Sequence, residues 1–93
     1  MQSLPYLAIQ PLIGLSATVV QSTNPIFARV TGQIIDDSHG MLTLLDGLHK
    51  YQIPKAACIF DVVLPTGQTV RVDGTTLIGH PAERLRRAKK LRW

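Results

Sequence analysis

Hydrophobic and polar residues alternate along much of this chain in short runs that end at Gly, Pro, Asn or Asp. Period-two runs of that length predict brief strands joined by tight turns. The β-branched run Thr18, Val19 and Val20 marks a first strand from Leu15 to Gln21, closed by Ser22, Thr23, Asn24 and Pro25. Ile26 to Asp36 reads as a long second strand, with Gly32 placed where a bulge or sharp bend belongs. Asp36, Asp37, Ser38, His39 and Gly40 form a polar turn before a third strand, Met41 to Leu45.

Asp46-Gly47 predicts a two-residue type I′ hairpin, which sets Leu44 opposite His49 and Leu42 opposite Tyr51. Leu42, Leu44, Tyr51 and Ile53 then share the core face, and Thr43, Lys50 and Gln52 share the outer one. Pro54 ends this fourth strand. A second hairpin runs from Cys58 to Leu64, through Pro65-Thr66-Gly67, and back along Gln68 to Asp73. A three-residue loop pairs Phe60 with Val72, Val62 with Val70 and, outside, Asp61 with Arg71. Asp73-Gly74 turns the chain into a short seventh strand, Thr75 to Ile78.

Pro81 stands where a helix can begin. At 100° per residue, Ala82, Leu85, Ala88 and Leu91 cover one side of it, and Glu83, Arg86, Arg87 and Lys90 the other. Ahead of the strands, Leu4, Leu7, Ala8 and Pro11 have helix-like spacing in an arm that takes either one short turn or an extended form. The expected organisation is an arm over residues 1–14, a β domain over 15–80 and a basic helix over 81–93. Strands this short and numerous cannot bury two broad sheets. The fold class is therefore mainly β: a small Sm-like (SH3-type) antiparallel barrel of six or seven strands with a C-terminal α-helix.

With 93 residues, 45% of them hydrophobic, the chain builds one core and not two. Charge changes the picture more. The formal net charge is +4, but residues 1–80 hold four basic residues against five acids, while residues 81–93 hold six against Glu83 alone. The positive field sits at one end. Arg86, Arg87 and Lys90, flanked by Arg84, Lys89 and Arg92, form a face able to approach several phosphates and release their counterions. Charged helix faces are ordinary on solvated helices, but this one is one-sided on an otherwise slightly acidic chain, which favours RNA contact. Lys50 and Arg71 point outward in the registers above, Lys55 closes a strand, and Arg29 lies in the bent strand, so each is a further candidate for phosphate. Trp93 either stacks on a base or packs on the barrel.

No catalytic residue is expected. Asp36, Asp37 and His39 could hold a metal ion, but they are the residues tight turns select, and no metal site is expected there. No nucleophile stands at a recognisable spacing from a base. Cys58 is alone, so it forms no intrachain disulfide and reads as a small buried residue in a reducing compartment. The apolar start of the chain lacks a basic leader and is broken by Pro5 and Pro11, so no signal peptide or membrane span is expected and the location is cytoplasmic.

Several spaced blocks also carry a resemblance: Leu12-Ile13-Gly14-Leu15, Ser22-Thr23-Asn24-Pro25, Thr31-Gly32-Gln33-Ile34-Ile35-Asp36 and Tyr51-Gln52-Ile53-Pro54-Lys55. Phe60 to Gly67, Val72-Asp73-Gly74 and Ile78-Gly79-His80-Pro81-Ala82-Glu83-Arg84-Leu85 continue it. From Leu12 to Arg87 the sequence resembles ribonuclease P protein component 1 of archaea, an Sm-like subunit related to a eukaryotic ribonuclease P and MRP protein. The resemblance implies a subunit of an endoribonuclease whose RNA, with magnesium ions, removes the 5′ leader of precursor tRNA. It implies binding to ribonuclease P RNA and to a zinc-ribbon protein subunit, access to precursor tRNA through the assembled complex, and no cofactor of this chain's own. The rival reading is a self-assembling Sm-like or SH3-like adaptor that binds RNA or protein without a role in tRNA processing.

Overall fold

The computed structural model describes residues 11–80 together with Glu83 and Arg84. Six strands form one antiparallel sheet: β1 (Ser16–Ser22), β2 (Thr31–Asp37), β3 (Met41–Asp46), β4 (His49–Pro54), β5 (Cys58–Val63) and β6 (Thr69–Asp73). Their order is β4-β3-β2-β1-β5-β6, so β4 and β6 are the edges and no strand pairing closes a barrel among the described residues.

Closure fails where a seventh strand was expected. Thr75 to Ile78 does not extend; Gly74–Leu77 is a 3-10 turn instead. Asp73 decides this by offering Oδ1 to both the Thr75 backbone N–H and its hydroxyl, each at 3.0 Å, an Asp cap competing with a ladder. A second 3-10 turn, Lys55–Ala57, follows β4, and the two turns pack on each other. The two edge strands thus run into turns that meet, and the sheet curls without hydrogen-bonding shut. Of the helix expected over 81–93, only Glu83 and Arg84 are described; both are helical, and the Arg84 N–H donates to the His80 carbonyl at 3.0 Å. The remainder lies outside the described residues, as do residues 1–10.

The second strand is shorter than its hydrophobic run. Pro25 opens a 3-10 turn, Pro25–Phe27, capped by the Asn24 side chain on the Ile26 N–H, and Arg29 takes a left-handed φ of 67° before β2 begins. Gly32 carries no register shift. Its lack of a side chain serves close approach, since a Cβ there would lie 2.5 Å from the Leu45 carbonyl oxygen. The register shifts fall between Val19 and Gln21 and between Ile34 and Asp36.

The β3–β4 turn is one residue later than expected. Its central residues are Gly47 and Leu48, with positive φ only at Gly47 (61°), the II′ rather than the I′ pattern. Leu44 therefore opposes Tyr51 and Leu42 opposes Ile53, a slip of two residues. A slip of two preserves side-chain parity, so the expected core face survives intact. The β5–β6 hairpin has the expected register, with Phe60 opposite Val72, Asp61 opposite Arg71 and Val62 opposite Val70.

Ala17, Val19, Ile34, Leu42, Leu44, Ile53, Phe60, Val62 and Val72 fill the concave side, joined by Leu64 and Leu77. Leu12, placed by its sequence in the arm, is also core, and the bond from Gly14 N–H to the Ile34 carbonyl (2.8 Å) ties its turn to β2. Where the two 3-10 turns meet, a Cβ on Gly74 would run into the Lys55 carbonyl, whereas one on Gly40 would meet nothing within 4 Å. Gly74→Ala should therefore destabilise the protein by about 3 kcal/mol, the upper end for overpacking. Gly40→Ala should stay within about 0.5 kcal/mol of the parent in the same urea titration.

Candidate functional site

The irregularity between Ile34 and Asp36 sets up the most heavily charged interior feature. Strict alternation from the buried Ile34 would turn Asp36 inward; the extra residue reverses the parity, leaving Asp36 exposed and Asp37 buried. Two cations meet the Asp37 carboxylate. Lys55 Nζ donates to Oδ1 at 2.8 Å, and Arg84 forks across both oxygens, Nη1 to Oδ1 at 3.1 Å and Nη2 to Oδ2 at 2.7 Å. The side chains of Lys55 and Arg84 are 0% exposed and that of Asp37 1%.

The donors left over find carbonyls. Lys55 Nζ also reaches the carbonyls of Ser38, His39 (3.4 Å) and Gly79 (3.2 Å), and Arg84 Nη1 reaches those of Gly79 (2.7 Å) and Leu77 (3.4 Å). This is the saturation that a buried ion cluster needs. Lys55 and Arg84, both expected to bind RNA, are corrected by it: their charged groups lie in the interior and hold the fold. The carbonyls of Leu77 and Gly79 thus become acceptors for side chains from elsewhere in the chain.

The surface cations divide differently. Arg29, Lys50 and Arg71 are exposed. Lys50 sits on the edge strand β4 and Arg71 on the opposite edge strand β6, so the sheet order does not bring them side by side. Arg71 forks onto Asp61, Nε to Oδ1 at 2.9 Å and Nη2 to Oδ2 at 3.1 Å, and this hydrogen bonding holds the Asp61 carboxyl below its ordinary value. On the same outer face the Thr18 and Thr31 hydroxyls are 2.8 Å apart, so Thr31, Thr18, Asp61 and Arg71 form a polar row across four strands. Arg86, Arg87, Lys89, Lys90 and Arg92 lie outside the described residues.

Asp36, Asp37 and His39 do not converge: Asp37 faces the buried cations while His39 turns out toward Glu83, its Nδ1 3.3 Å from Oε1. Glu83 Oε1 also accepts the His80 backbone N–H at 2.8 Å, as a capping-box residue does three positions into a helix. The His80 N–H, and then His39, lower the Glu83 carboxyl from its ordinary 4.5. Cys58 is buried, with its thiol donating to the Ser22 hydroxyl at 3.3 Å. Sequence reasoning missed the role of Asp37. Its signal was present only as two adjacent aspartates at a strand end, which turns also select.

A profile of the family described as Ribonuclease P/MRP, subunit p29 matches residues 6–87. The chain belongs to that family. Ribonuclease P protein component 1 of Pyrococcus horikoshii is 37% identical over 82 residues, covering 88% of this chain and 61% of the relative. The chain thus spans about three fifths of that relative's length. The protein of the same name from Thermofilum pendens is 40% identical over 77 residues, 82% of each chain, and that from Methanococcoides burtonii is 34% identical over 99% of this chain and 98% of its own. The solved structure of Mth11, a homologue of human RNase P protein Rpp29, superimposes with a TM-score of 0.61 at 29% identity, over 81% of this chain and 97% of Mth11. The fold of this p29-family chain is thus shared with Mth11. Among its described residues no helix is long and apolar enough to cross a membrane.

Removing the central charge leaves two buried cations uncompensated, so Asp37→Asn should cost about 3–5 kcal/mol in chemical denaturation. Asp61 and Glu83 both have folded carboxyls held below their ordinary values, 3.8 and 4.5. Their stabilisation is complete above those values and is lost as the pH falls through the lowered folded ones. Unfolding free energy should therefore decline below about pH 4.5, and Asp61→Asn should make that decline shallower in urea titrations run across the acid range.

Proposed function

We propose that this chain is a protein subunit of ribonuclease P that binds the enzyme's RNA and a zinc-ribbon partner protein and so supports removal of the 5′ leader from precursor tRNA. The observation that carries the reading is the family match over residues 6–87. The concentration of six basic residues after residue 80 supports it independently. In this reading cleavage belongs to the RNA and its magnesium ions, the complex works in the cytoplasm, and this chain folds or orients the RNA without contributing a catalytic residue.

The cations available for that work are, on this reading, fewer than the charge count. Arg84 is committed to Asp37, so it anchors the start of the basic segment while Arg86, Arg87, Lys89, Lys90 and Arg92 follow it in sequence. Arg29 and Lys50 are exposed cations that pair with no acidic side chain among the described residues, and Arg71 would exchange Asp61 for phosphate.

Neutralising Arg86, Arg87 and Lys90 together should weaken binding to the cognate RNA and flatten log K against log salt by about 2–3, a little under one for each phosphate no longer neutralised. An unchanged slope would remove this segment from the RNA footprint. Reconstituted precursor-tRNA cleavage should rise when the chain is added to RNA and partner proteins, and a chain that instead forms a stable ring of its own copies would favour an adaptor.

A further inference from the structure

The side chains of His39, His80 and Glu83 converge at the surface although His39 and Glu83 are 44 residues apart. One ligand-type atom from each lies within 4.8 Å of the others, and the two imidazole centroids are 5.9 Å apart. The RNA reading gives none of the three a role. We propose that these three residues form a binding site for a borderline divalent transition metal, of which Zn2+ is the type.

Donor chemistry comes first. Two imidazoles and one carboxylate suit zinc better than calcium or magnesium, which prefer all-oxygen shells. A tetrahedral zinc with bonds of about 2.0–2.1 Å sets its ligand atoms about 3.3 Å apart. His39 Nδ1 and Glu83 Oε1 already stand at 3.3 Å. The metal takes the place of the hydrogen between these two atoms, with His39 coordinating through Nδ1 as the neutral tautomer that carries its ring proton on Nε2. His39 and His80 are exposed, so the His80 ring can close the remaining gap by side-chain rotation, and water completes the fourth position.

The backbone beneath is held independently of any metal. Gly79 N–H donates to the His39 carbonyl at 2.7 Å, joining the two ligand-bearing segments directly. Lys55 Nζ bridges the same pair of residues through the carbonyls of His39 and Gly79. Asp37, two residues before His39, grips Arg84, the neighbour of Glu83. The capping bond from His80 N–H orients the Glu83 carboxylate. Each ligand thus stands beside a residue fixed by the buried cluster, the support that orients metal ligands in built sites. Occupation would clamp the β2–β3 turn to His80 and Glu83, which precede most of the basic residues in sequence.

The test uses the whole chain, stripped with a chelator and titrated with Zn2+ by calorimetry and thermal melting, without RNA. One zinc per chain and a raised melting temperature are expected. His39→Gln and His80→Gln should each weaken binding by at least about tenfold, because each removes one of three ligands. Glu83→Gln should weaken it too while keeping an acceptor for the His80 N–H, since Gln also serves a capping box. His49→Gln, on β4, should bind as the parent does, and cobalt in place of zinc should show no intense thiolate charge-transfer band. Absence of stoichiometric zinc binding, unchanged affinity in both His39→Gln and His80→Gln, or a thiolate band from Cys58 would each overturn the proposal. None of these readouts depends on RNA binding, so the site and the RNA reading stand or fall separately.

Discussion

A single carboxylate, Asp37, is the point on which the remainder of the structure depends. It accepts charged hydrogen bonds from Lys55, which follows β4, and from Arg84, which follows the last described turn, and so joins three distant stretches of chain around one anion. Ions are strongly disfavoured away from water unless every donor and acceptor is matched. Here the backbone carbonyls of Ser38, His39, Leu77 and Gly79 complete the match, and among the described residues no buried side-chain polar atom lacks a partner. Such a cluster is unforgiving of displacement in any one segment, which is how it fixes their relative positions.

That constraint explains why the sheet can remain open. A barrel whose edge strands pair needs no further closure. In this one the edges end in 3-10 turns, Lys55–Ala57 after β4 and Gly74–Leu77 after β6. Close packing at Gly74 and the Lys55–Asp37–Arg84 cluster do what a ladder would otherwise do. The match to Mth11 over most of both chains shows that the overall fold is shared with that structure.

The same cluster sorts cations of identical chemistry into two roles. Arg84 is structural and Arg71 is exposed, although both fork onto an aspartate. The difference is solvent: an exposed pair is screened and exchangeable, whereas a buried one has no competitor for its partner. On the proposed RNA-binding reading this has a direct consequence. The basic segment is tethered at its first arginine by a bond that phosphate cannot reach, which separates holding the segment in place from presenting its charge.

Periodicity and turn chemistry alone determined the strands, the apolar faces and the β5–β6 register, because Pro65-Thr66-Gly67 and the alternation of Phe60, Val62, Val70 and Val72 are local signals. The core face of β3–β4 was legible too, even with the turn displaced, since a two-residue slip conserves parity. Separated sequence blocks also pointed to the family. What the sequence did not disclose was one local capping competition and the outcomes set by contacts distant in the chain. Asp73 capping replaced a seventh strand, a bulge turned Asp37 rather than Asp36 inward, and Lys55 and Arg84 were withdrawn from the surface. Sequence states that a residue is charged; only the tertiary structure decides whether its counter-ion is another side chain, a phosphate or water.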